Sequence, residues 1–483
     1  MFVWILIPWL LTWCAAQIIG RAPDAFETVL PFERPWPVWQ WTEALYVSAY
    51  LFVPMTVFLA ASQRALRRLA LGGGIATLIV TICWFTIPAV AANRSFVPTS
   101  ALGALLAFEQ RRSSGVAAFP AFHVLWAMLA ARVWGDDARH RHQPSRAWVG
   151  WIWAGLIAAS CLTTGMHSVV EVVAALLAFP VLGDPARSWA WIRARTEALA
   201  NSWREWRIGR LRVINHAVFA GSAGGVGFAI ITMGAPPDRF GDVVWITFCT
   251  LVGAGIWAQI FESSSMLLRP FGWYGGVLGA VVGVATVSGS AAEATPLLAA
   301  LTLAAPWIQA IGRLRCLVQG CCHGGPAPAW LGIRYFHRRS RVSYILGLAG
   351  QPIHATPIYS IAGNLIVGVI VLRLRLLGTS DTMVIGVYLI LAGIARFVEE
   401  GYRAEPQTPI VAGLHSYQWL AVASVLLGMW STTVPPATAS AGFAPFSISI
   451  AAVSVLVAAI TGAAMGVDVP GSSRRFSRLA TVD

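Results

Sequence analysis

The chain has 483 residues, 57% of them hydrophobic and only 11% charged, where a soluble globular chain carries about 25% charged residues. Its formal net charge is +13 and all 34 basic residues are arginine, which excludes lysine Schiff-base chemistry and a lysine-dependent phosphate loop. In so apolar a chain the positive excess fits loops facing anionic lipid rather than nucleic acid, and no cofactor is implied. Apolar runs near the length needed to cross a ~30 Å hydrocarbon core recur, so the expected fold is an all-α polytopic integral membrane protein of about 14 transmembrane helices in two bundles.

In chain order, the first bundle is expected from spans at Phe2–Ile19, Trp41–Ala61, Leu69–Ala92, Val116–Trp134, Trp148–Thr163 and Ser168–Leu182. Phe2–Ile19 lacks a basic start and a clear cleavage site, so it reads as a membrane helix. Arginines gather in Ser62–Arg68, Gly135–Ala147 and Arg187–Arg212, which the positive-inside rule makes cytoplasmic. The outer segments Asn93–Gly115 and Thr164–His167 then bring the polar chemistry to one side. Arg94 follows the third span, His123 opens the fourth, and His167 and Glu171 open the sixth. Their spacing of four puts His167 and Glu171 on one helix face. A carboxylate there fixes the imidazole tautomer of a nucleophile or base. His123 could protonate a leaving group, and Arg94 could hold phosphate oxygens.

Arg94–Glu171 resembles the type 2 phosphatidic acid phosphatase family, especially its branch related to inositol-phosphoceramide synthases. The resemblance implies a histidine nucleophile at His167, oriented by Glu171, with His123 as the acid. Three positions depart from the family. Glu171 stands where aspartate is usual, Ser160-Cys161 where a Ser-Arg pair is usual, and Ala121 where serine is common. The residues alone also allow buried histidines that merely bond helices together, or a site that keeps its shape without turnover.

Asp184–Arg212 is too charged to span and reads as a basic amphipathic linker lying on the membrane surface. Spans follow at Val213–Met233, Val243–Phe261, Trp273–Val287, Thr295–Ile311, Ile358–Val371, Thr382–Phe397, Ile410–Leu427 and Phe446–Ala464. The longest irregular segment is expected at Gly312–Pro357. It opens with G-R-L-R-C-L-V-Q-G-C-C-H-G-G (Gly312–Gly325), which sets Arg313 at the membrane boundary. Charge there costs at least ~2.5 kcal/mol, so Arg313 either snorkels to water or holds an anion, read here as a lipid headgroup. A second cluster closes the sixth of these spans: Arg396, Glu400 and Arg403 share one helical stripe. Arg313 and Arg396 would clamp one phosphodiester, with Gly275 and Gly276 admitting close backbone approach. Cys316, Cys321, Cys322 and His323 match no standard zinc spacing, so the cysteines read as packing against glycine-rich backbone and no metal is expected.

Val213–Leu427 resembles prolipoprotein diacylglyceryl transferase through Y-G-G-V-L-G, G-R-x-x-C-L-x-Q-G-C-C-H-G, H-A-T-P-I-Y-S, R-F-V-E-E-G-Y-R and G-L-H-S-Y-Q-W. That family moves diacylglycerol from phosphatidylglycerol to a lipobox cysteine thiol, releasing glycerol phosphate. The resemblance implies catalytic roles for Arg313 and Arg396. His354 is a candidate base beside His323, His415 and Tyr274. Tyr274, Gly275, Gly276, Cys316, Gln319, Gly324, Tyr359, Glu400 and Arg403 would contact substrate. Cys316 replaces the family's asparagine, Cys321 stands near its glutamate, and Tyr274 replaces the histidine before the Gly-Gly pair.

The expected organisation is therefore a phosphatase-like domain at 1–183, a linker at 184–212, a transferase-like domain at 213–430, and an extra helix with a basic tail at 431–483. The implied partners are a phosphatidylglycerol-like lipid, the bilayer and a prolipoprotein acceptor. The implied location is the bacterial cytoplasmic (inner) membrane. Two other functions fit the residues: catalysis by the first domain alone, or lipid binding and translocation without turnover. A continuous span count puts Gly312–Pro357 inside, whereas the transferase resemblance puts it outside.

Overall fold

The computed structural model describes residues 2–20, 24–60, 62–91, 93–260, 271–344, 346–404, 409–436 and 442–469. The described residues are mostly helical, with three small sheets of two or three strands and no closed sheet. The basic tail expected at Ser472–Arg478 lies outside them. The chain divides into two compact units, Met1–Trp191 and Ile192–Asp483.

The first unit contains α1 (Phe2–Ile19), α2 (Glu43–Val47), α3 (Ala49–Leu59), α4 (Gln63–Thr86), α5 (Ala101–Arg112), α6 (Phe122–His140), α7 (Pro144–Thr163) and α8 (Val169–Leu182). β1 (Phe26–Glu27) pairs in parallel with β2 (Ala89–Val90). Serines open the helices: Ser62 accepts from Ala65 N before α4, and Ser168 accepts from Glu171 N before α8, satisfying amides that the helix leaves unpaired. α6 packs on α3, α4, α7 and α8. Its Ala127, Ala130 and Ala131 are fully buried, which lets these neighbours come close. Asp136 and Asp137 on α6 take Arg68 and Arg146 at 2.7 and 3.0 Å, so part of the basic excess in two arginine-rich connections is neutralised locally.

α9 (Pro185–Ala200) starts in the first unit and ends in the second. The segment expected as a linker at 184–212 is this helix followed by an antiparallel hairpin, β3 (Glu205–Ile208) and β4 (Leu211–Ile214). Gly209, at φ +57°, turns the hairpin. Val213 therefore lies in a strand, and the next helix begins at Ala217.

The second unit continues with α10 (Ala217–Gly234), α11 (Phe240–Ile260), α12 (Trp273–Val287), α13 (Ala291–Gln319), α14 (Arg341–Tyr344), α15 (Thr356–Leu376) and α16 (Asp381–Glu400). A hairpin of β5 (Ile410–Val411) and β6 (Leu414–His415) occupies what was read as the start of a span; α17 (Ser416–Thr433) then begins at Ser416. The chain closes with α18 (Ile448–Gly466) and β7 (Val467–Asp468).

α13 runs through Arg313 and Arg315, so the first residues of the expected irregular segment are helical. Gly320 ends the helix at φ +72°, a left-handed cap that suits glycine. α18 is not an appendage. It packs along α10, where Gly221 and Gly225 face the carbonyls of Ala458 and Ser454 so closely that a Cβ would lie 2.8 Å from each. β7 pairs with β4, and Arg212 donates to both carboxylate oxygens of buried Asp468 at 2.8 and 2.6 Å.

Among the described residues, eight helices are long and apolar enough to cross a membrane: Gln40–Leu59, Gln63–Thr86, Ala217–Gly234, Pro237–Ile260, Ala291–Gln319, Thr356–Leu376, Asp381–Glu400 and Ile448–Gly466. Ile7–Ile19 and Trp273–Val287 are apolar but shorter. α6 is as long, but Arg132, Asp136, Asp137 and Arg139 fill its second half. The architecture is that of an all-α membrane protein.

Candidate active sites

In the first unit the capping box at the start of α8 fixes the carboxylate of Glu171. Its Oε2 lies 2.7 Å from His167 Nδ1 and its Oε1 accepts from Thr28 Oγ1. Glu171 is fully buried and His167 nearly so. With Nδ1–H directed at a carboxylate, Nε2 carries the lone pair. The His123 ring lies 5.8 Å from that of His167. Tyr46 and Tyr50 bracket His123, their hydroxyls 3.3 Å from Nδ1 and 3.1 Å from Nε2.

Arg94 reaches the same neighbourhood through its backbone N–H to Gly165 O at 3.3 Å. Its guanidinium donates to the carbonyls of Trp36, at 3.1 Å, and Leu162. These bonds orient it but occupy donors that the sequence reading gave to phosphate. Cys161, at the departed arginine position, is buried in the apolar core. Sequence reasoning missed Thr28, Tyr46 and Tyr50. The tyrosines lie four apart across the break at Ser48, Tyr46 on α2 and Tyr50 on α3, so it is the turn between the two helices that brings both to His123.

In the second unit one carboxylate gathers three arginines. Glu399 Oε1 lies 3.7 Å from Arg313, 3.3 Å from Arg396 and 2.6 Å from Arg403. Arg396 also pairs with Glu400 at 2.6 Å. Three guanidiniums against two carboxylates leave a positive centre. The Arg313 and Arg396 side chains keep 15% and 16% of their surface accessible, enough to meet an anion from one side. Arg313 also donates to Ser360 Oγ and Cys322 Sγ, both at 3.0 Å. Arg396 lies 5.4 Å over the ring of Tyr417, which stacks on Tyr274 at 5.0 Å. Tyr274 is within reach of Arg396.

His354 stands just before α15, with Nδ1 3.2 Å from the Tyr359 hydroxyl and its ring 5.0 Å from Tyr402. Burial lowers its pKa below the ordinary histidine value, which favours the neutral, proton-accepting form. Gly324 bridges to Arg403 and sits where a Cβ would lie 2.5 Å from His354 Cβ, so it joins the segment before α15 to the arginine cluster.

Other sequence-expected residues fall elsewhere. Gly275 does not leave room for lipid: a Cβ there would lie 2.2 Å from Trp257 Cβ and 2.4 Å from Gly253 O, so its role is the contact of α12 with α11. Gly276 lies on the same seam, 3.6 Å from Ala254 Cβ by the same measure. Cys316 faces Cys322, with sulfurs 3.6 Å apart. Gln319 is buried at the last residue of α13. Arg315 turns from the site to donate to Met465 O at 3.3 Å. Glu399 was the residue missed: the E-E pair in R-F-V-E-E-G-Y-R was visible, but spacing singled out Glu400.

Comparison with known proteins gives two matches along the chain. The family described as "PAP2 superfamily" matches residues 33–181, and that described as "Prolipoprotein diacylglyceryl transferase" matches residues 206–434. A similar curated protein is phosphatidylglycerol–prolipoprotein diacylglyceryl transferase 2 of Clostridium perfringens, 26% identical over 179 residues, covering 36% of this chain and 66% of the relative. A second is phosphatidylglycerol–prolipoprotein diacylglyceryl transferase of Clostridium tetani, 25% identical over 122 residues, covering 25% and 46%. The chain thus spans just under two thirds of one relative and under half of the other. The chain is a fusion of a PAP2-like domain and a prolipoprotein diacylglyceryl transferase-like domain.

Proposed function

We propose that the second unit is a membrane-embedded transferase that moves the diacylglyceryl group of phosphatidylglycerol, or a similar lipid, to a thiol or related acceptor. The observation that supports it most is the meeting of Arg313, Arg396 and Arg403 on Glu399. Glu399 and Glu400 hold the guanidiniums in place and lower the cost of charge at the membrane. The positive charge that remains suits a phosphodiester and the more negative phosphate that leaves. His354, held neutral by burial, takes the proton of the acceptor thiol. The sulfur attacks the glycerol carbon bearing the phosphate oxygen. A C–S bond forms, the C–O bond breaks, and glycerol phosphate departs with the electron pair.

The first unit is a lipid phosphatase or phosphotransferase in the same reading. His167 Nε2 attacks phosphorus, Glu171 steadies the resulting imidazolium, and His123 protonates the leaving oxygen. The site faces a bacterial cytoplasmic membrane, and the acceptor is a prolipoprotein or another thiol-bearing substrate. Purified full-length protein is to be incubated with phosphatidylglycerol labelled in its headgroup and a cysteine peptide. Release of labelled glycerol phosphate that Arg313→Gln abolishes, in a variant with unchanged helix content, supports the reading. Full release by that variant ends it.

A further inference from the structure

We propose that Cys316, Cys321 and Cys322 form a three-sulfur site for one soft, thiophilic d10 metal ion such as copper(I) or zinc(II). The sulfur–sulfur separations are 3.6 Å for Cys316–Cys322 and 3.9 Å for Cys321–Cys322, and all three sulfurs lie within 4.8 Å of one another. Three sulfurs bound at about 2.3 Å to one ion stand about 3.8 Å apart in a tetrahedral set and about 4.0 Å apart in a trigonal one. The observed spacing is thus near that of a thiolate cage.

The backbone holds that spacing in place. Cys316 sits in the last turn of α13. Gly320, in the left-handed region at φ +72°, reverses the chain so that the next two cysteines fold back towards it. Thr356 Oγ1 donates to Cys322 O at 2.7 Å and pins the returning strand to α15. Linear spacing concealed this, since C-x4-C-C supplies no pair of separated pairs.

Charge favours the same reading. Three thiolates around a monovalent or divalent ion carry a net negative charge, and Arg313 Nη1 lies 3.0 Å from Cys322 Sγ to meet it. Soft sulfur donors select copper(I) and zinc over magnesium or calcium. Such an ion ties the end of α13 to the loop after it, beside the Arg313 guanidinium whose Nη1 meets Cys322 and whose Nη2 meets Glu399. It is a positioning device and takes no part in bond making.

Cadmium(II) is the probe, because its thiolate complexes absorb in the ultraviolet. Reduced full-length protein in detergent is titrated with it. The expected result is saturation at one ion per chain. Cys316→Ser, Cys321→Ser and Cys322→Ser should each weaken binding by at least about tenfold, while Cys249→Ser on α11 should leave it unchanged. A measurement that needs no variant accompanies this: peptide mapping after alkylation of the unsubstituted protein, with and without cadmium. Selective protection of these three cysteines supports the site. No saturable absorbance, absorbance that survives the three substitutions, or equal alkylation with and without the ion overturns it, as does a Cys316–Cys322 disulfide found in its place.

Discussion

Glu399 on α16 stands 3.7 Å from Arg313 on α13, so the two arginine-bearing helices share a carboxylate rather than merely ending near one another. Removing that carboxylate leaves three guanidiniums repelling one another with Glu400 alone to balance them. Glu399→Gln keeps the side-chain volume and removes the charge. Because it disorders the groups that stabilise a leaving phosphate, it should lower turnover by about 10²–10³-fold. Glycerol phosphate release measures this, and near wild-type release would detach Glu399 from the chemistry.

The proposed base predicts a pH profile. Burial lowers the His354 pKa, so the imidazole stays neutral further into acid than an exposed histidine does. The transferase rate should therefore be full at neutral pH and fall as pH drops through a midpoint below the ordinary histidine value. His354→Gln should reduce the rate by about 10²–10⁴-fold and abolish that acidic limb. A limb that persists in the variant assigns proton transfer to another group.

In the first unit, Glu171 holds His167 by Nδ1 at 2.7 Å. His167→Asn should abolish phosphate release from a phosphatidic acid substrate, and acid-labile phosphate trapped on the protein should vanish with it. Glu171→Gln should retain the fold but lose about 10²–10⁴-fold in rate, because an amide orients the ring without stabilising its charge. Phosphate trapping by His167→Asn at the wild-type level would refute the assignment.

Asp468 is buried and accepts from Arg212 Nε and Nη2. Asp468→Asn should destabilise the second unit by about 3–5 kcal/mol, the cost of stranding a buried charge. Thermal unfolding in detergent reads the loss, and an unchanged midpoint would show that the ion pair contributes nothing.

The orientation of the second unit is also testable. Arg315 near the end of α13 reaches Met465 at the end of α18, and β4 before α10 pairs with β7 after α18. The N-terminus of α10 and the C-termini of α13 and α18 thus share one face, while Met233 O meets Ala444 N at the other. If the arginine cluster faces outward, reporter fusions after Met233 and after Trp430 should both give cytoplasmic signals. Two outer signals would place the cluster on the cytoplasmic side.

What the sequence determined by itself was whatever lies within one helix. Apolar runs marked the eight described helices long enough to cross a membrane, of about 14 expected, and a spacing of four marked Arg396–Glu400, because helical geometry converts separation along the chain directly into proximity; His167 stands before α8 and meets Glu171 through the cap at Ser168. Only the tertiary structure decided what meets across helices. It set Tyr46 and Tyr50 about His123, made Glu399 rather than Glu400 the common partner of three arginines, and assigned Gly275 to a helix seam. It also gathered three sulfurs that linear spacing kept apart, packed α18 onto α10 through Gly221 and Gly225, and joined β4 to β7 through Arg212 and Asp468. The physical reason is that contacts between helices depend on how whole faces pack and on left-handed turns such as Gly320, which no periodicity within a single segment records.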